Sequence, residues 1–182
     1  MENMYEIYLD QAKIMHKDPK VWKGHMIKRY MPQIKEIITK YNVDTILDYG
    51  CGKAQHHPDG WNSYKYDPAV PKFEKKPEAG RKFDLVICID VLEHIPETDL
   101  PRIIKELFDY SGKYVFATAA VKEAGKTLPN GLNAHATVRP QEWWNELFAP
   151  YKNYTLDFTT KKPTKRKKYY VLGQKVKANK IR

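Results

Sequence analysis

Cysteine is almost missing from this chain: Cys51 and Cys88 are the two in 182 residues. One sits in a glycine turn and the other in an apolar run, so a disulfide framework is excluded and a reduced, cytoplasmic setting is expected. No apolar run approaches the length needed to cross a bilayer, and the first residues lack a signal-peptide pattern, so no membrane partner is expected. Internal repeats and low-complexity tracts are missing too, and the length suits one domain with a real core. Acid is in the minority. The 22 Asp and Glu against 32 Lys and Arg give a formal charge of +10, which favours anionic partners without naming one.

What is there is concentrated at Thr45-Ile46-Leu47-Asp48-Tyr49-Gly50-Cys51-Gly52. A short apolar run that ends in an acid and two glycines reads as a buried strand followed by a sharp turn. Gly50 and Gly52 permit positive φ and close approach, and Asp48 puts a charge at the carboxyl end of a sheet, where open α/β folds bind ligands.

The periodicity predicts helices over 5–16, from Pro19 through Met26, and over 32–41, with Asn42 as the stop. Strands follow at 44–48, 63–66, 82–90 and 113–118. Helices are expected at 101–110, with Asp99 as N-cap, and at 140–148. Segments 154–160 and 169–176 would pair as an antiparallel hairpin across the basic stretch 161–168. The sum is an α/β, Rossmann-like, mainly parallel sheet with helices on both faces, N-terminal helices and a C-terminal antiparallel hairpin.

Three blocks in this order resemble class I S-adenosylmethionine-dependent methyltransferases: Asp48-Tyr49-Gly50-Cys51-Gly52-Lys53-Ala54, Tyr66-Asp67-Pro68, and Phe83 through His94. The match covers most of the chain from about Thr45 onward; with the length and the helical periodicity ahead of it, a single domain over 1–182 is expected, with a helical segment at 1–42 and a cofactor-binding core at 43–182. The resemblance implies S-adenosylmethionine held by Asp48, Tyr49, Gly50, Cys51, Gly52, Asp67, Pro68, Ile89 and Asp90. Asp67 would take the ribose hydroxyls, and Asp48 would brace the turn and face the cationic end. A dehydrogenase would want a third glycine and a longer helix for a pyrophosphate, and Lys53-Ala54-Gln55-His56-His57 supplies neither. The stretch after Asp67 is too short for a full helix and strand, so this is a trimmed variant. Phe73 is a candidate cover for the adenine, or a loop aromatic packed on the sheet.

Asp90-x-x-Glu93-His94 with the distant His135 is similar to ubiquinone-pathway O-methyltransferases and to 3′-terminal RNA 2′-O-methyltransferases. That likeness implies a divalent metal ion on Glu93, His94 and His135, with Asp90 a candidate fourth ligand. The alternative is His94 or His135 as general base, Glu93 beside them; in metal-free members Leu-Glu-His organises the loop. His56 and His57 read as exposed turn residues, and His16 and His25 as helix-surface residues. Trp22 reads as helix packing or as a lid. Of Trp143 and Trp144, one is expected in the core and the other at a pocket wall. Arg139 reads as an anion site or a surface ion pair.

The expected activity is O- or N-methylation of a small polar metabolite or glycan. The alternatives are methylation of nucleic acid, contacted through 161–170, and a catalytically inactive module that binds cofactor or nucleic acid.

Overall fold

The computed structural model describes residues 3–151 and the backbone of 168–174. Helix α1 (Met4–Lys17) opens with the Asn3 side chain accepting the Tyr5 N–H at 3.1 Å, which satisfies one orphan donor of the first turn. Helix α2 (Ile27–Tyr41) carries Pro32 inside it and ends on Asn42 in the left-handed region, a conformation asparagine tolerates. Strands β1 (Ile46–Tyr49), β2 (Ser63–Tyr66) and β3 (Phe83–Ile89) follow. Helix α3 (Leu100–Tyr110) runs directly into β4 (Ser111–Ala120), and α4 (Gln141–Leu147) precedes β5 (Lys168–Gln174).

The sheet has the order β2-β1-β3-β4-β5. Neighbours among β2, β1, β3 and β4 pair in parallel, and β5 pairs antiparallel to β4. Side chains alternate across a strand, and β3 uses both faces. Leu85, Ile87 and Ile89 pack with Ile27, Tyr30, Ile34 and Ile37 of α2. Val86 and Cys88 pack on the opposite face with Ile103, Ile104 and Leu107 of α3 and with Trp144 of α4. A strand covered on both faces must be apolar throughout, which is why 85–89 reads as a continuous run.

The trimming is borne out. No helix forms between β1 and β2, and one 3-10 turn (Pro71–Phe73) is the only helical element between β2 and β3. Other expectations need correction. No helix forms at 19–26: Trp22 has φ 44° and Gly24 φ 70°, outside the helical region. The next helix starts at Ile27, ahead of Pro32, because Ile27 and Tyr30 already face the sheet. Asp99 is the N-cap of α3 as expected, its carbonyl accepting the Ile103 N–H at 3.1 Å, but its side chain makes no capping bond and pairs with Arg102 at 3.1 Å instead. The expected strand at 169–176 is present as β5, while its proposed partner at 154–160 lies outside the described residues, as do 161–167 of the basic stretch.

Candidate active site

The carboxyl ends of β1, β2 and β3 converge on one turn. The Gly50 and Cys51 N–H groups both donate to the Tyr66 carbonyl, at 2.7 and 3.1 Å. The Gly52 N–H donates to Asp67 Oδ2 at 2.8 Å, and the Ala69 N–H to Asp67 Oδ1 at 2.9 Å. Each carboxylate oxygen keeps a lone pair for a ligand. Gly50 (φ 80°) and Gly52 (φ 55°) are required by the protein itself: a Cβ on Gly50 would strike the Val91 side chain, and one on Gly52 would press on the Trp22 carbonyl. Lys53 secures that neighbouring loop, its Nζ donating to the Asp18 carbonyl and to the Val21 carbonyl at 2.8 Å.

A cavity of about 950 Å³ opens over this turn, at the upper end of the range for small-molecule sites and large enough for a nucleoside cofactor with a second molecule. Tyr49, Gly50, Gly52 and Asp67 line it, with Pro68, Ile89 and Asp90. Asp48 and Cys51 are buried and are not part of that lining. Phe73 does not line it either.

Asp48 is an acid held in the interior. Burial, and then the charge of Asp67, push its carboxyl up to about 7, against the pull of Lys65. His57 is the correction here: it is buried, its ring edge-on to Trp61, with Nε2 3.6 Å from Asp48 Oδ2. That gap exceeds a hydrogen bond, and burial lowers the pKa of His57 as it raises that of Asp48. We read a neutral imidazole beside a carboxyl rather than an ion pair. Burial likewise pushes the Cys51 thiol up.

Beyond β3 the 3-10 turn Leu92–His94 brings Glu93 and His94 to the cavity, and the loop after β4 brings His135 to meet them. A ligand atom from each of the three lies within 4.8 Å of the others. Asp90 is not a member of this group. It sits at φ 55°, its N–H donating to Thr118 Oγ1 at 2.9 Å and its Oδ1 accepting from that hydroxyl at 2.8 Å. The two loops are stapled by the Thr137 N–H to the Glu93 carbonyl at 3.0 Å and by the Thr137 hydroxyl to the Ile95 carbonyl at 2.7 Å. His94 Nδ1 donates to the Ala134 carbonyl and His135 Nδ1 to the Lys122 carbonyl, both at 2.6 Å. A carbonyl can only accept, so both rings carry a proton on Nδ1, and Nε2 is the nitrogen at which each ring takes up or gives up a proton.

A family model described as a methyltransferase domain matches residues 22–150. The chain belongs to this methyltransferase family. It is a class I, S-adenosylmethionine-dependent enzyme, as the three sequence blocks imply. Its fold is similar to that of the 1,6-didemethyltoxoflavin-N1-methyltransferase of Burkholderia thailandensis, crystallised with 1,6-didemethyltoxoflavin and S-adenosylhomocysteine (13% identity, 97% of this chain and 92% of that one, TM-score 0.65). It is also similar to the magnesium protoporphyrin IX methyltransferase of Synechocystis with bound S-adenosylhomocysteine (15% identity, 95% and 96%, TM-score 0.62). Among curated proteins no sequence matches the chain.

The methyltransferase cavity also contains residues that sequence reasoning set aside. His16, read as helix surface, lines it, and His25 lies in the turn ahead of α2 at its edge. Trp22 lines it as well, its ring 5.2 Å from His94 and 5.4 Å from His16. Trp144 is fully buried, whereas Trp143 lies outside the cavity beneath Arg139. Arg139 pairs with Glu97 at 2.8 Å. Among the described residues no helix is long and apolar enough to cross a membrane.

Proposed function

We propose that this methyltransferase acts on an oxygen or nitrogen of a small polar acceptor, a metabolite or glycan unit, seated between α1 and the loop after β4. The observation that carries the reading is the convergence of Glu93, His94 and His135 within 4.8 Å. The two solved neighbours are named for small-molecule acceptors, which supports a small acceptor here. A reduced, cytoplasmic setting belongs to the same proposal, supported by two buried thiols outside any disulfide.

In this reading Asp67 accepts the ribose hydroxyls. Tyr49, Gly50, Gly52, Pro68, Ile89 and Asp90 form the walls around the nucleoside, and Asp48 and Cys51 brace the turn from behind. The acceptor atom attacks in line with the carbon–sulfur bond, so positioning supplies much of the rate. His94 or His135 receives the acceptor's proton at Nε2.

The same donors fit a divalent ion. One carboxylate oxygen and two imidazole nitrogens form a mixed set, and each Nδ1 is anchored on a carbonyl as metal-binding histidines are. An ion there would polarise an acceptor hydroxyl and lower its pKa.

The test is transfer of labelled methyl from S-adenosylmethionine to small metabolites, RNA and DNA in parallel, before and after chelation. Label is expected in the small-molecule fraction, and label confined to nucleic acid contradicts the acceptor proposed. Activity lost on chelation and restored by Mg²⁺, Mn²⁺ or Zn²⁺ assigns the ion. Activity indifferent to both assigns the proton to the imidazoles alone.

A further inference from the structure

Helix α1 buries none of its residues fully, yet Tyr5, Tyr8, Leu9, Ala12 and His16 share one face at helical spacing. All five line the cavity. The face of α1 is therefore completed by whatever fills that space.

His16 is the polar member of the stripe. Its Nδ1 is covered and has no hydrogen-bond partner among the described residues, a condition native structures rarely leave unanswered. Burial lowers its pKa, and a neutral ring offers one donor and one acceptor. The charged or titratable groups that act on it are Asp67, Lys53 and His94. The Trp22 indole touches both His16 and His94, and of the charged or titratable neighbours Asp67 acts on His16 most strongly. Trp22 is held there by its loop: Lys53 donates to the Val21 carbonyl at 2.8 Å, and the Gln55 N–H to the Lys23 carbonyl at 3.3 Å.

We propose that His16 is a cofactor-contacting residue, its imidazole hydrogen-bonding a ribose hydroxyl of the nucleoside that Asp67 holds, so that α1 closes on bound cofactor. This rests on the assignment of Asp67 to the ribose. A ribose hydroxyl that gives its proton to Asp67 still accepts, and an imidazole N–H fills that place. The cofactor thus supplies a partner for the imidazole on its cavity side and a surface for Tyr8, Leu9 and Ala12 of the stripe.

The experiment is calorimetric titration of the full chain with S-adenosylhomocysteine and with its 2′,3′-dideoxy analogue. His16→Ala is expected to weaken the first about tenfold, as loss of one hydrogen bond does, and to leave the second unchanged. His16→Gln, which keeps an N–H donor, is expected to stay within about threefold of the parent. Lys13→Ala, a change at a solvent-facing ion pair of the same helix, is expected to bind as the parent does. Equal losses against both compounds overturn the ribose contact. Unchanged binding by His16→Ala, with affinity lost in Asp67→Ala, overturns this inference alone. If neither variant loses affinity, the Asp67 assignment falls as well.

Discussion

A carboxylate with no room for its charge is the most consequential single residue in the core. Asp48 is buried, and its carboxyl titrates near 7 rather than at the ordinary 3.8. A raised carboxyl pKa means that the folded state holds a proton the unfolded chain has released. The stability this confers is complete below the unfolded pKa, declines as pH rises from about 4 to about 7, and is gone above that range. Asp48→Asn removes the charge and keeps the shape. Denaturant unfolding from pH 5 to pH 8 should show the variant gaining on the parent by up to about 1.4 kcal/mol per pH unit within that window, with no further gain above it. A constant difference across that range contradicts the assignment. At this scale the meeting of Glu93, His94 and His135 in space was legible, because two of them follow a strand end and the third closes a neighbouring loop. His57 was not: Pro58, Asp59 and Gly60 mark an exposed turn, and its burial depends on Asp48 and Trp61, which no local pattern brings near. His16 was hidden for the same reason, since its helical spacing acquires a meaning only once the cavity lies beneath it.

Elements were easier to read than residues where burial is one-dimensional. The run Leu85–Ile89 announced a strand covered on both sides, and it is packed by α2 on one face and by α3 and α4 on the other. Ile87 is fully buried, so Ile87→Ala should cost about 2–5 kcal/mol, read as a fall in the urea midpoint with little change in slope. A cost below 1 kcal/mol contradicts that packing. The apolar spacing of Val21, Trp22 and Met26 suggested a helix that the backbone refuses. Gly24 approaches the Cys51 carbonyl and the Ala54 backbone too closely for any side chain, a long-range demand that outranks local periodicity. The length from Asp67 to Phe83 did show that a helix and a strand are missing, because chain length bounds what can be built.

At the scale of the whole molecule, motif order carried most of the fold: acid-tipped strand, glycine turn, second acid, then an apolar strand with Glu-His at its end. Parallel pairing of β1 with both β2 and β3 puts those ends in one place, which a sequence can imply through the order of its strands and the crossover lengths between them. The depth of the cavity was not legible, since residues of α1 form part of its wall and a helix face gives no sign of what it will cover. In the proposed function that cavity is the place where a methyl group leaves a sulfonium and reaches a small acceptor. The most direct measurement is single-turnover transfer of labelled methyl into the small-metabolite fraction, by the parent and by His94→Ala and His135→Ala. Label is expected in that fraction with the parent, with a fall of about 100-fold or more in at least one variant, the usual scale for general acid–base groups. Transfer at the parent's rate by both variants would contradict the proposed function.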